Sequence, residues 1–222
     1  MAHLFDDDSF DPTRDGKVPM RRSPIMLFAR LLVHMARMLF SRHPGDLFRW
    51  LKSMVMRRKP LSYAMPWLTF DAIRAIEEKL RSGQRVFEFG SGHSTVYWAK
   101  KGVELFSVED DAAWFEMVAA KLKGNADVHL FFEQEHWDYV GRVGKCAGTF
   151  DIVLVDGSHR KDCMLAAMPM LKPGGLLVVD NTEWHWFQKA FQRMPPDWKM
   201  RNYPGCAPFI GHMSQTTIWG KP

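Results

Sequence analysis

Four carboxylates each stand at the end of a short apolar run: Glu88 in "RVFEFGSGHST", Glu109 in "VELFSVED", Asp156 in "FDIVLVDGSH" and Asp180 in "LLVVDN". Acidic residues are depleted in strands, so carboxylates placed where the chain must turn suggest a ligand to serve. After Glu88, Gly90 and Gly92 let the backbone turn sharply and approach a bound molecule closely. A dinucleotide loop of the GxGxxG kind would need glycine at 95, where Thr95 stands. An acidic rim suits a cofactor with a cationic amino acid portion better. Glu88 can receive an ammonium group, and Glu109 on the next strand can accept two ribose hydroxyl hydrogen bonds.

These residues need strands that all end on one edge. From residue 66 onward short apolar runs alternate with helical patterns through "LLVVDN", and "WKMRNYP" and "SQTTIWGK" follow as a terminal strand pair. The alternation predicts an α/β, Rossmann-like sheet of seven strands, mostly parallel with the last strand antiparallel and helices on both faces. Ligands then bind outside the carboxyl ends of the strands. "WLTFDAIRAIEEKLRSG" reads as a helix beginning near Thr69 or Asp71 and capped by Gly83. Another lies around Tyr139–Cys146. A third begins near Thr182, where Asp180 and Asn181 could serve as caps.

The N-terminal part has a different character. Residues 1–23 are polar and Asp-rich and are expected to form a poorly ordered leader. Residues 24–60 read as a basic amphipathic helical hairpin, with Arg30, His34, Arg37 and Ser41 on one narrow stripe. Residues 61–222 form the α/β domain. Between Lys17 and Lys59, eleven basic residues face one acid, Asp46, a net +10, whereas residues 60–222 are close to neutral. Two arginines interrupt the first apolar run, which is too short for a transmembrane helix, and no cleavable signal pattern is present. The three cysteines form no CxxC pair, which suits a reducing compartment. The expected place is cytoplasmic, or peripheral to the inner membrane face.

"VFEFGSGHST", "SVED" and the "LKPGG" before the fifth strand together resemble the motifs of class I S-adenosylmethionine-dependent methyltransferases, over about residues 60–222. The resemblance implies S-adenosyl-L-methionine as cofactor, held by Glu88, Gly90, Ser91, Gly92, Glu109, Asp110 and Asp156, with Glu88 at its methionine end. "DGSH" and "VVDN" also resemble the metal-dependent catechol-type O-methyltransferases, which implies Asp156, Asp180 and Asn181 as ligands for Mg2+. That family's lysine base is replaced by His159, whose ordinary pKa suits proton removal. "VDGSHRKDC", "LVVDN" and "TTIW" are similar to a group of bacterial methyltransferases whose substrates the motifs do not reveal.

The activity implied is in-line methyl transfer to a hydroxyl or amine of a small-molecule or glycan-type acceptor, with His159 and Asp156 as catalytic residues. The alternatives are N-methylation or RNA methylation, and a non-catalytic protein that docks through its hairpin. A nicotinamide oxidoreductase would want the third glycine and an apolar residue at 88. Nucleic acid is disfavoured because no interleaved aromatic and basic motif is present. The hairpin's apolar surface must be covered by the domain, by a second copy in a homodimer, or by anionic membrane. Trp184, His185 and Trp186 could wall the acceptor pocket, and His93 could touch the cofactor.

Overall fold

The computed structural model describes residues 24–56, 61–184 and 187–222. The leader at 1–23, the hairpin's end at 57–60, and His185 and Trp186 lie outside them. Seven strands form one sheet: β1 (Arg85–Phe89), β2 (Glu104–Glu109), β3 (Val128–Phe132), β4 (Phe150–Val155), β5 (Leu171–Asp180), β6 (Lys199–Gly205) and β7 (Ser214–Gly220). Their order is β3-β2-β1-β4-β5-β7-β6. Strands β1 to β5 run parallel, and β7 is antiparallel to both β5 and β6. The central strands are buried on both faces, as continuous runs such as "FDIVLV" require.

Helices connect the strands: α3 (Phe70–Lys79), α4 (His93–Ala99), α5 (Ala112–Leu122), α6 (His136–Lys145), α7 (Arg160–Ala167) and α8 (Phe187–Phe191). One apolar cluster joins Phe87, Phe89, Tyr139, Phe150, Met164 and Trp219; another joins Trp50, Leu68, Ile73, Ile76 and Trp98 on the other side. The strand order reverses between β1 and β4. Chain connections diverge there, which opens a crevice at the strand ends.

Three boundaries differ from expectation. Leu80, not Gly83, caps α3; Gly83 instead sits at φ 78° in the following turn. α8 starts at Phe187, so Asp180 and Asn181 cap no helix. "LKPGG" is a bulge inside β5 rather than a turn before it. Phe150 pairs with Leu171 and Ile152 with Leu176, and the intervening residues bond to Lys221 through Gly174 N–H (3.0 Å) and the Gly175 carbonyl (2.9 Å).

Before the domain, α1 (Pro24–Leu39) and α2 (Gly45–Met56) form the expected hairpin. The face turned to the domain includes Met38, Trp50, Ser53, His34 and Asp46, all buried. Asp46 takes both terminal nitrogens of Arg74 from α3 at 2.9 Å, a bidentate pair. Burial holds the His34 imidazole below its ordinary pKa, and its ring packs edge-on to Trp50.

Candidate active site

A cleft of about 860 Å³ opens at the carboxyl ends of β1, β2, β4 and β5, within the range of small-molecule sites. Its floor is a close meeting of two loops. A Cβ on Gly90, which sits at φ +92°, would lie 2.6 Å from the Gly157 Cα, and one on Gly157 would lie 2.1 Å from Tyr139 Oη. No side chain larger than hydrogen fits either place, so the loops after β1 and β4 touch backbone to backbone.

Glu88 lies under this floor, buried and outside the residues lining the cleft. Its Oε2 accepts from Thr95 Oγ1 (2.5 Å) and Ser107 Oγ (3.1 Å), while Thr95 Oγ1 accepts from Gly92 N–H (2.6 Å). The carboxylate therefore pins the Gly90–Gly92 loop. Its other oxygen, Oε1, has no partner among the described residues, and burial pushes the carboxyl up to about 7. The glycine cradle above it, closed to any Cβ at Gly90 and Gly157, suits close backbone approach to a cofactor.

Glu109 lines the cleft. Oε2 accepts from Ser91 N–H (2.9 Å), and Oε1 from Asp110 N–H (3.1 Å) and Asp111 N–H (2.9 Å). A carboxylate has about four acceptor positions, so the backbone leaves room for one ribose hydroxyl rather than the two expected. The adjacent Asp110 also lines the cleft. Burial raises the Glu109 carboxyl to about 7. Trp114 completes this side: its indole N–H donates to the Ser91 carbonyl at 2.5 Å.

On the far side, Asp156, Asp180 and Asn181 do converge, but around a cation the chain supplies itself. Arg160 Nη2 lies 3.1 Å from Asp156 Oδ1 and donates to the Asp156 carbonyl at 3.0 Å. Nη1 donates to Asn181 Oδ1 (2.8 Å) and the Asp180 carbonyl (3.1 Å), and Nε to the Gly157 carbonyl (2.9 Å). Asp180 Oδ1 is taken by Thr216 Oγ1 at 2.6 Å, and Asn181 Nδ2 donates to Ser214. The guanidinium takes Asp156 Oδ1 and Asn181 Oδ1, and Thr216 takes Asp180 Oδ1, so the trio expected as magnesium ligands is engaged within the chain. Among the described residues no group of three His, Cys, Asp or Glu side chains could hold a metal ion. Burial and the neighbouring Asp156 push the Asp180 carboxyl well above the ordinary range. Burial also raises Asp156, against the pull of Arg160.

His159, placed three residues after Asp156, does not line the cleft. Its ring stacks on His136 at 3.8 Å, and His136 Nε2 meets Asp162 at 2.8 Å. The backbone explains this: His159 adopts φ 52°, which turns its side chain toward α6. His93 does line the cleft, with Nδ1 3.0 Å from the Tyr63 carbonyl and Phe209, Trp67 and Trp114 around it. A carbonyl only accepts, so Nδ1 carries the proton, and burial lowers the His93 pKa. Trp67 and Trp184 give the cleft aromatic walls, and Trp184 lies over the Arg160 guanidinium at 5.7 Å.

Arg160 and Tyr139 were not singled out from sequence as site residues. For Arg160 a signal existed: an arginine four residues after Asp156, at the first turn of a helix, can fold back onto that carboxylate. For Tyr139 none did, because its contact with Gly157 depends on how α6 packs.

Comparison with known proteins agrees with this geometry. Residues 87–182 match a family model described as a methyltransferase domain. No curated protein matches the sequence. Among solved structures, the O-methyltransferase TomG from Streptomyces achromogenes, in complex with SAM, is similar at 18% identity and TM-score 0.56, over 78% of this chain and 89% of that one. TrmN from Thermus thermophilus has 15% identity and TM-score 0.54, over 79% of this chain and 53% of that one. The precorrin-6y C5,15-methyltransferase from Geobacter metallireducens has 16% identity and TM-score 0.53, over 72% and 94%.

Proposed function

We propose that this chain, whose residues 87–182 match a methyltransferase domain and whose fold resembles that of S-adenosylmethionine-dependent enzymes, methylates a hydroxyl, or an amine, of a small-molecule or glycan-type acceptor by in-line displacement. The observation that carries this reading is the two-sided cleft. One side carries the Gly90–Gly92 loop with Glu109 and Asp110, and Trp67 against His93; the other carries Trp184 with the Asp156–Arg160–Asn181 cluster. S-adenosylmethionine, when bound, supplies a methyl group already activated by its sulfonium.

The chain's own residues do the remaining work. Glu109 and Asp110, beside the Gly90–Gly92 loop, fix the cofactor's position, and Glu88 stiffens that loop. Trp67 and Trp184 exclude water and align a flat acceptor, which is where most of the rate gain of such a transfer arises. Asp156 Oδ is placed to take the acceptor's proton, and Arg160 keeps that carboxylate available by offsetting the cost of burying it.

Calorimetry with S-adenosylhomocysteine tests the cofactor wall. Glu109→Ala should weaken binding by about 10- to 100-fold, since hydrogen bonds to charged groups contribute about 1.5–3 kcal/mol; unchanged affinity in a folded variant would remove Glu109 from the site. The acceptor class is tested with tritiated S-adenosylmethionine offered alongside phenols, amines, sugars and total RNA. Label found only in RNA would overturn the small-acceptor reading.

A further inference from the structure

α1 and α2 turn apolar side chains outward. Phe28 is 62% exposed, Phe40 85%, Phe48 73% and Val55 77%, with Leu32 and Leu51 beside them. Phe48, Leu51 and Val55 fall at the three- and four-residue steps of one helical stripe, and Phe28 and Leu32 do the same on α1. Buried on the opposite face are the polar His34, Asp46 and Ser53. Both helices therefore pack with an apolar stripe unused.

We propose that this hairpin face docks on an anionic phospholipid bilayer. Its charge selects that occupant. Arg42 and Lys52 are exposed beside the apolar stripes, Arg37 is exposed at the edge toward the domain, and none of the three has an acidic partner among the described residues. The one acid of the hairpin, Asp46, is buried in its pair with Arg74. A second copy of the chain meeting this face symmetrically would set these cations against themselves, whereas lipid phosphates would neutralise them while the phenylalanines enter the acyl boundary.

The same helix is tied to the rim of the active site. Trp50 donates its indole N–H to the Ile210 carbonyl at 2.7 Å, and Ser53 Oγ accepts from Phe209 N–H at 2.9 Å. Ile210 and His212 line the active-site cleft. A docked hairpin therefore sets that rim near the bilayer surface.

Co-flotation of the full chain with vesicles tests this. Binding to phosphatidylcholine vesicles containing phosphatidylglycerol is expected, with little binding to phosphatidylcholine alone and loss in high salt. Phe40→Ser with Phe48→Ser and Val55→Ser should reduce binding by roughly tenfold or more, and so should Arg37→Glu with Arg42→Glu. Unchanged S-adenosylhomocysteine affinity in both variants shows that they are folded. Failure of the full chain to bind the anionic vesicles overturns the proposal. So does equal binding by the serine variant, or a dimer in sedimentation that the serine substitutions dissolve, since the occupant would then be a second copy. None of these readouts depends on the acceptor being identified.

Discussion

Helices α2 and α3 are linked by the Asp46–Arg74 pair, yet they are built on opposite plans. α3 buries Phe70, Ala72, Ile73 and Ile76 and shows water its charged residues. α2 buries Asp46, Trp50 and Ser53 and shows water Phe48, Leu51 and Val55. In both, a 3.6-residue rhythm reveals a two-faced helix. The rhythm alone does not say which face turns inward. That is decided by the neighbours: Arg74 and the 206–213 loop offer polar partners to α2, whereas the sheet offers α3 only apolar ones. The apolar side of α3 serves folding, and that of α2 is left for another surface.

The largest effect should come from the strand-end cluster next to these helices. Arg160→Met leaves Asp156 buried without its cation and should cost about 3–5 kcal/mol in urea unfolding at pH 8. The loss should shrink at pH 5, where the carboxyls can hold a proton; an equal loss at both would mean that Arg160 acts through packing. Next, Ile73→Ala in α3 should destabilise by about 2–5 kcal/mol, as buried truncations do. A change below 1 kcal/mol would put α3 in the same class as α2.

A pH scan separates the regions further. The folded carboxyls of Glu88 and Glu109, raised to about 7, bind protons that the unfolded chain has already released above its ordinary carboxylate range. Each therefore favours the folded state at low pH, and that contribution is lost as pH rises toward 7, by at most about 1.4 kcal/mol per unit per group. Glu88→Gln should flatten the slope of Tm between pH 5 and 7; an unaltered slope would show that Glu88 is ionised throughout. Smallest of all, Phe48→Ser in water should shift stability by about 0.5 kcal/mol or less. A larger loss in chemical unfolding would mean the α2 stripe is covered within the chain.

Much of this was readable in the residues. Strands β1, β2, β4 and β5 are short apolar runs ending in acids, and the parallel sheet brings those ends to one edge, so Glu109, Asp110 and Asp156 could be placed at that edge, where all three line the cleft. What lay beyond reading was set by approach rather than by pattern. Arg160 meets Asn181 only because β4 and β5 are neighbours, and its arrival turned an apparent cation site into one already filled by the chain. His159 is near the site in sequence but is turned aside by a single left-handed residue conformation. Glu88 is in its expected place, but it holds the loop from below rather than lining the cleft.

Strand β7 has a consequence for how the molecule is made. It follows β6 in the chain yet lies between β5 and β6, running against both. Until it emerges during synthesis, β6 has no partner, and β5 presents an open row of backbone donors and acceptors along Leu176–Asp180. Such an edge recruits other strands. The bulge at Lys172–Gly175 shortens the flat stretch, and its lysine and proline make poor templates for pairing. The nascent chain is thus most exposed to aggregation in the interval between making β5 and making β7.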